Sequence, residues 1–231
     1  MHMPSHTDSP ILCTVDVVLL TLRNERLHVL LLPRDKAPHQ GLPALPGGFV
    51  HAQDDATAWH AARRVLNEKA GIDSPYLEQL ATYSGAERDP RGWSVSIVYY
   101  ALVPEALLDA AASGAAARIV PAHRLPALPF DHRDIIQLAV ARVRTKSAYS
   151  SLPVYFCGDT FTMPQLQAVY ESVLGEPINK VSFRRKIDEL DMLEPVEGEM
   201  EVGKAHRPAQ FYRLKRAYSR RLSTSGKGLG G

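Results

Sequence analysis

The sequence contains only two cysteines, Cys13 and Cys157, among its 231 residues, which excludes a disulfide-stapled fold and favours a reducing compartment. It also lacks a run of about 18 apolar residues, because Asp16 interrupts one apolar stretch and Glu105 and Asp109 interrupt another, so no membrane span is predicted. The first ten residues are polar and contain no apolar signal core, which predicts a cytoplasmic protein. With 45% apolar and 23% charged residues, disordered and collagen-like chains are also excluded.

Charge is distributed unevenly along the chain. Residues 1–150 carry 15 basic and 15 acidic residues, whereas residues 151–231 carry 12 basic and 10 acidic ones. Eight basic residues and no acidic residue lie between Lys204 and Lys227. Such a segment attracts polyanions, although a solvated C-terminal tail would have the same composition. The second half of the chain is therefore a candidate nucleic-acid-binding region.

The first 150 residues have the pattern of an α/β domain. Two Val/Leu-rich strands flank a short polar turn, and a loop rich in proline and glycine follows. The first predicted helix has Asp54 or Asp55 as its N-cap candidate and Gly71 as its C-terminal stop. The predicted elements are strands Thr14–Leu22, His28–Pro33, Leu77–Ser84 and Trp93–Val103, and helices Ala56–Ala70 and Arg133–Lys146.

A second, smaller domain is predicted after the segment Ser147–Pro153, whose composition is that of a linker. Thr162 to Gln165 form a capping box for one helix, which Gly175 ends, and a second short helix covers Lys180–Leu190. Two strands, Leu193–Val196 and Gln210–Leu214, complete the plan of a winged-helix domain. We place the two domains at residues 11–148 and 149–218, followed by a flexible tail at 219–231.

A motif for phosphate esters surrounds the first predicted helix. Pro46-Gly47-Gly48-Phe49-Val50 precedes it and Arg64-Val65-Leu66-Asn67-Glu68-Lys69-Ala70-Gly71-Ile72 ends it, and together they resemble the Nudix box. In that box, three helix carboxylates on one face hold Mg²⁺ against a pyrophosphate. The resemblance implies an α/β/α sandwich with a mixed sheet, which binds a nucleoside diphosphate linked to another group.

The carboxylates of the box are largely replaced in this sequence. Alignment on Gly71 puts Val65, Glu68 and Lys69 at the three helix positions, and Asp54 at the upstream one. The alternative register gives Arg64, Asn67 and Glu68 and restores no carboxylate cluster. Because Mg²⁺ relies on anionic oxygen ligands, we predict no metal site, no catalytic residue and no cofactor.

The pocket of the box is nevertheless predicted to bind a ligand. Gly47 and Gly48 permit close backbone approach, and Lys69 could supply the charge of the missing metal or extend into solvent at the helix end. Arginines in an inter-strand loop suit bidentate phosphate capture, although most such loops are only polar turns. The predicted effector-binding residues are Arg34, Gly47, Gly48, Phe49, Glu68, Lys69, Arg88, Asp89 and Arg91.

The second helix of the smaller domain has an apolar stripe on one side and a cationic face on the other, as a recognition helix requires. A solvated helix face is the alternative, and several glutamates near the wing oppose DNA binding. The predicted DNA-binding residues are Lys180, Ser182, Arg184, Arg185 and Lys186 on this helix, and Lys204, Arg207, Gln210 and Tyr212 at the wing and its return strand.

The order of these motifs, from about Thr14 to Leu214, resembles the Nudix-related transcriptional regulators of the NrtR type. Besides the altered box, the strings that carry the resemblance are Arg88-Asp89-Pro90-Arg91-Gly92, Phe130-Asp131-His132, Phe161-Thr162, Phe183-Arg184-Arg185-Lys186-Ile187 and Arg207-Pro208-Ala209-Gln210-Phe211-Tyr212-Arg213. The resemblance implies a homodimeric repressor of NAD-metabolism or sugar-utilisation genes. It would bind a near-palindromic double-stranded operator and release it on sensing ADP-ribose or a related nucleotide.

Two other functions remain open from the sequence. One is a Mg²⁺-dependent Nudix hydrolase of the ADP-ribose pyrophosphatase type, in which the C-terminal module only mediates dimerisation. The other is a protein-binding adaptor built from two inactive modules. The missing carboxylates argue against the hydrolase, and the two separate basic elements argue against the adaptor.

Overall fold

The computed structural model of this chain describes residues 10–74, 76–113, 116–201 and 209–218. The larger domain contains β1 (Leu12–Arg23), β2 (Arg26–Pro33), β3 (Pro43–Ala44), β4 (Gly47–Phe49), α1 (Ala58–Ala70), β5 (Leu77–Gly85), β6 (Ser94–Leu102), α2 (Glu105–Ser113), β7 (Arg118–Pro121) and α3 (His132–Ser147). After it come a 3-10 turn (Leu152–Phe156), β8 (Phe161–Thr162), α4 (Met163–Leu174), α5 (Lys180–Leu190), β9 (Leu193–Glu201) and β10 (Ala209–Leu214).

The larger domain is organised around β1, which pairs with three other strands of a mixed sheet. β1 runs parallel to β6 and antiparallel to β2 and β4. The turn between β1 and β2 has positive φ at Asn24 and Glu25, which matches the right-handed twist of the hairpin strands. The predicted hairpin is confirmed, whereas β3, β4, β7 and α2 were not predicted.

Helices cover both faces of this sheet. One face of β1, including Val17 and Leu19, packs with Leu66 of α1 and Leu108 of α2 in one core cluster. The residues that alternate with these, Val18 and Leu20, belong to a second cluster that contains buried residues of α3. The predicted α/β/α sandwich is therefore confirmed. In the described residues, none of the helices combines the length and apolarity that crossing a bilayer requires.

The smaller domain consists of α4, α5 and a three-stranded sheet in the order β8-β10-β9. The capping box is confirmed, since the Thr162 amide donates to Gln165 Oε1 at 2.8 Å and the Gln165 amide donates to Thr162 Oγ1. α5 begins after Asn179, whose side-chain oxygen accepts from two amides of the first turn. β9 continues to Glu201, five residues beyond the predicted end. The predicted winged-helix plan is confirmed.

The segment Ser147–Pro153 is not an open linker. Five of its seven residues are buried, and the Ser147 and Ser150 hydroxyls donate to carbonyls of the last turn of α3. The Tyr170 hydroxyl of α4 donates to the Ser150 carbonyl at 3.0 Å. The serines that suggested a linker instead form hydrogen bonds with the end of α3. Buried side chains of the 3-10 turn and of α4 belong to the same core cluster as those of α3, so the two domains pack against each other.

The predicted N-cap of α1 is wrong. Neither Asp54 nor Asp55 caps the helix; Thr57 does, and its hydroxyl accepts from the His60 amide. The helix accordingly begins at Ala58 rather than Ala56. Gly71 ends it as predicted, in the left-handed conformation, with its amide bonded to the Asn67 carbonyl. The predicted tail at 219–231 lies outside the described residues.

Candidate functional site

A cavity of about 560 Å³ opens beside α1, between the Pro/Gly-rich loop, the loop before β6 and the start of α3. This volume suits a small organic ligand. All nine predicted effector-binding residues line it: Arg34, Gly47, Gly48, Phe49, Glu68, Lys69, Arg88, Asp89 and Arg91. The structure thus brings together residues that are separated by up to 57 positions in the sequence. That they bind an effector stays a prediction.

Arg64 fixes one wall of the cavity by clamping the loop after β4 onto α1. Its guanidinium donates to both carboxylate oxygens of Asp55, at 2.9 and 2.6 Å, and to the Phe49 carbonyl at 3.0 Å. The Asp55 side chain is only 2% exposed, and its hydrogen bonds from Arg64 lower its pKa to about 2. Asp54, which we aligned with the upstream carboxylate of the box, instead lies exposed, 3.9 Å from His51.

Arg88 and Arg91, the predicted phosphate-binding guanidiniums, already have carboxylate partners. Arg88 donates twice to Asp131, at 2.9 Å each, and once to the Ser94 hydroxyl. Arg91 pairs with Asp89 at 2.6 Å, and its guanidinium lies over the Phe49 ring at 5.3 Å. Asp89 is therefore a counter-ion that orients Arg91, and the hydrogen bonds from Arg91 lower the pKa of Asp89.

Three other cations of the cavity have no carboxylate partner among the described residues. Within the part of the chain that the structure describes, Arg34, Lys36 and Lys69 form no ion pair, although all three line the cavity. Arg34 donates to the Pro38 carbonyl and stacks on Phe130 at 4.8 Å. Burial lowers the pKa of Arg34, and repulsion from Arg91 lowers it further. An anion between these two guanidiniums would relieve that repulsion.

A buried polar group that the sequence analysis missed forms the floor. Asp16 is 8% exposed, and one of its oxygens accepts from the Ser96 hydroxyl at 2.6 Å. Its other oxygen lies 3.6 Å from His132 Nε2, while His132 Nδ1 accepts from the Leu45 amide. Burial lowers the pKa of His132. The available signal in the sequence was a single carboxylate within the apolar run of β1.

The three helix positions of the Nudix box differ in their surroundings. Val65 is 1% exposed and part of the core, Glu68 accepts from Arg64 at 3.3 Å, and Lys69 is exposed at the cavity rim. Among the described residues, no group of three or more His, Cys, Asp or Glu side chains is arranged to hold a metal ion.

The predicted recognition helix α5 buries Phe183 and Ile187 and exposes its cationic face. All five residues predicted there are exposed: Lys180, Ser182, Arg184, Arg185 and Lys186. Arg185 lies 3.7 Å from Glu189. Lys186 also donates to the Ala148 carbonyl at the end of α3, at 2.9 Å. This contact turns it toward the larger domain.

The predicted wing residues are placed differently. The Gln210 side-chain Nε2 donates to the Val196 and Phe211 carbonyls, and the half-buried Tyr212 packs against the core, so both have structural roles. Tyr212 alternates with exposed Arg213 along β10, which is why its ring faces inward. Lys204 and Arg207 lie outside the described residues, and their contact with DNA stays a prediction.

Comparison with known proteins matches both domains. The NUDIX domain model covers residues 14–139, and the model of the NrtR DNA-binding winged helix domain covers residues 153–214. The ADPR responsive transcriptional repressor NtrR of Acinetobacter baylyi is 38% identical over 217 residues, which is 92% of this chain and 85% of that protein. The chain belongs to the NrtR family of Nudix-related transcriptional regulators. The sequence-based assignment to this family is confirmed.

Solved structures agree with this family assignment. The crystal structure of Shewanella oneidensis NrtR complexed with a 27mer DNA has a TM-score of 0.82 and 37% identity, covering 90% of this chain and 95% of that chain. The NUDIX domain of the same protein complexed with ADP ribose has a TM-score of 0.50 and 33% identity, covering 61% of this chain and 93% of that chain. The first similarity extends over both domains of the regulator.

Proposed function

We propose that this protein is a homodimeric transcriptional repressor that binds DNA through α5 and releases it when ADP-ribose occupies the cavity. The observation that carries the proposal is the connection of the two sites by one helix. At its start, Asp131 precedes α3 and binds Arg88 of the cavity, and His132 lies on the cavity floor. At its end, the Ala148 carbonyl binds Lys186 of α5. A helix of 16 residues spans about 24 Å.

ADP-ribose matches the chemistry of the cavity. Its diphosphate is dianionic, and the cavity is lined by three cations that have no carboxylate partner among the described residues: Arg34, Lys36 and Lys69. Binding of the diphosphate beside Arg88 would shift the Arg88–Asp131 pair and, through α3, the position of α5. Release of DNA requires that ADP-ribose bind the DNA-incompetent arrangement more tightly, by several kcal/mol for nearly complete release.

We also propose that the cavity binds its nucleotide without hydrolysing it. The family fold implies Mg²⁺ at the three helix positions, but a buried Val65, a Glu68 engaged by Arg64 and a Lys69 ammonium do not fit that ion. The positive charge of Lys69 would repel a divalent cation at this position. These three residues therefore do not form a Mg²⁺ site.

In the proposed dimer, two copies of α5 would contact the two half-sites of one operator. A two-fold dimer presents two recognition helices about 34 Å apart, one turn of the double helix, so the operator should be near-palindromic. We also propose a cytoplasmic location, because the regulators similar to this chain are bacterial and bacterial DNA lies in the cytoplasm.

Calorimetric titration of the full chain with ADP-ribose tests the effector assignment. Lys69→Ala should weaken binding about tenfold, the worth of one charge-assisted hydrogen bond to phosphate. Lys180→Ala, on α5, is the matched control and should leave ADP-ribose affinity unchanged while weakening DNA binding. Equal affinity of parent and Lys69→Ala would refute the role of Lys69. Mg²⁺-dependent formation of AMP from ADP-ribose by the parent protein would refute the proposal that it does not hydrolyse its ligand.

A further inference from the structure

Val181 is an exposed apolar side chain on the outer face of α5. It is 77% exposed, more than any other large apolar residue in the described part of the chain; the next is Tyr149 at 66%. The apolar residues that hold α5 in the fold lie elsewhere on the helix, at Phe183 and Ile187. Val181 therefore lies outside the core and is accessible to a partner of the domain.

The neighbours of Val181 are cationic. Residues three and four positions apart share one face of a helix, so Val181 lies beside Arg184 and Arg185. Arg184 and Lys180 have no ion-pair partner among the described residues. The Asn179 side chain accepts from the Val181 and Ser182 amides at 3.1 Å each, which fixes the first turn and with it the direction of Val181. The result is one apolar group inside a cationic surface.

We propose that Val181 contacts the 5-methyl group of a thymine in each operator half-site. The inference rests on the proposed binding of DNA by α5 and adds which base feature this helix recognises. A cationic surface attracts the phosphates, and the thymine methyl is the one apolar group that base pairs present in the major groove. Residues in the first turns of a recognition helix reach the base edges. Arg184 and Arg185 would then fix the helix on the backbone, and Val181 would supply sequence preference.

Replacement of thymine by deoxyuridine tests this contact because it removes only the methyl group. The operator is first located by footprinting the full-length protein on the DNA upstream of its own gene. Each symmetric pair of thymines is then replaced in turn, and Kd is measured by fluorescence anisotropy. For the parent protein, loss of one methyl group should raise Kd about fourfold in each half-site. Replacement of the contacted pair, one thymine in each half-site, should therefore raise Kd about tenfold or more. Val181→Ala should lose that sensitivity at the same pair.

Two variants serve as controls. Arg184→Ala should weaken binding to every duplex by a similar factor, because a phosphate contact is independent of the base, and should keep the deoxyuridine effect. Val181→Thr, which retains one methyl group and the side-chain shape, should keep part of the deoxyuridine effect. All variants should bind ADP-ribose like the parent, which shows that they are folded.

The possible failures are distinguishable. If no deoxyuridine substitution weakens the parent protein, or if Val181→Ala remains as sensitive as the parent, the methyl contact is refuted while DNA binding stands. If the parent protein binds no duplex more tightly than unrelated DNA, the proposed function itself fails, and this inference fails with it.

Discussion

Asp55→Asn is expected to destabilise the larger domain, because it removes the charge that Arg64 compensates. The Asp55 carboxylate accepts two hydrogen bonds from Arg64 and one from the His51 amide, at 2.8 Å. Its pKa is lowered from 3.8 to about 2. That difference corresponds to about 2.5 kcal/mol of stability at neutral pH. Arg64 is 21% exposed, so we reduce the expected loss to about 2 kcal/mol to allow for solvent screening.

Thermal unfolding measures this loss directly. For a chain of this size, about 2 kcal/mol lowers Tm by about 4 to 8 °C. A lowered carboxyl pKa stabilises the fold above the unfolded value of 3.8, and that stabilisation is lost as the pH falls through about 2. The Tm difference between parent and variant should therefore be full near neutral pH and shrink in acid.

Asp54→Asn is the matched control for this experiment. The Asp54 side chain is 74% exposed and lies 3.9 Å from His51, so its replacement should change stability by less than about 0.5 kcal/mol. If the two variants melt at the same temperature, or if the Asp55→Asn difference grows in acid, the assigned ion pair does not hold the loop.

Three further substitutions test the cavity and its connection to α5. Gly47→Ala should lower both Tm and ADP-ribose affinity, because its Cβ would clash with the buried Asp16 carboxylate. Gly48→Ala should be milder, since its Cβ would meet only Val65 Cγ2, at 3.1 Å. Differential scanning fluorimetry with and without ADP-ribose measures both effects, and equal results for the two glycines would contradict this explanation. Lys186→Ala should bind ADP-ribose like the parent. The factor by which ADP-ribose raises the Kd for DNA should be at least about threefold smaller in this variant, as expected for one lost hydrogen bond. An unchanged effect in anisotropy titrations would mean that the Ala148 contact does not couple the sites.

Local patterns predicted most helices and strands of this chain. Gly71, Gly175 and the Thr162–Gln165 capping box end or begin helices as their chemistry requires. Short elements such as β3 and β8 were missed because two residues contain no periodicity, and they form only through pairing with distant strands. Composition also misled the linker prediction, since the serines between the domains bond to the backbone of α3.

The residues around the cavity were predicted better than their interactions. Motif strings identified nine lining residues, but spacing alone could not show that Asp131 neutralises Arg88, because they are 43 positions apart. Asp16 and His132 were missed as a pair for the same reason: the contact depends on how β1 and α3 pack across the sheet. On α5, the helical period predicted exposure correctly, but only the packed structure shows that Lys186 contacts the larger domain.

The measurement that tests the central claim most directly is titration of the protein–DNA complex with ADP-ribose. Full-length protein is bound to a labelled duplex from its own upstream region at low salt, and ADP-ribose is added while anisotropy is followed. We expect specific binding that ADP-ribose reverses, whereas AMP, which lacks the second phosphate and the terminal ribose, reverses it only at much higher concentration. Specific DNA binding that no concentration of ADP-ribose alters would contradict the account, even if ADP-ribose binds to the cavity.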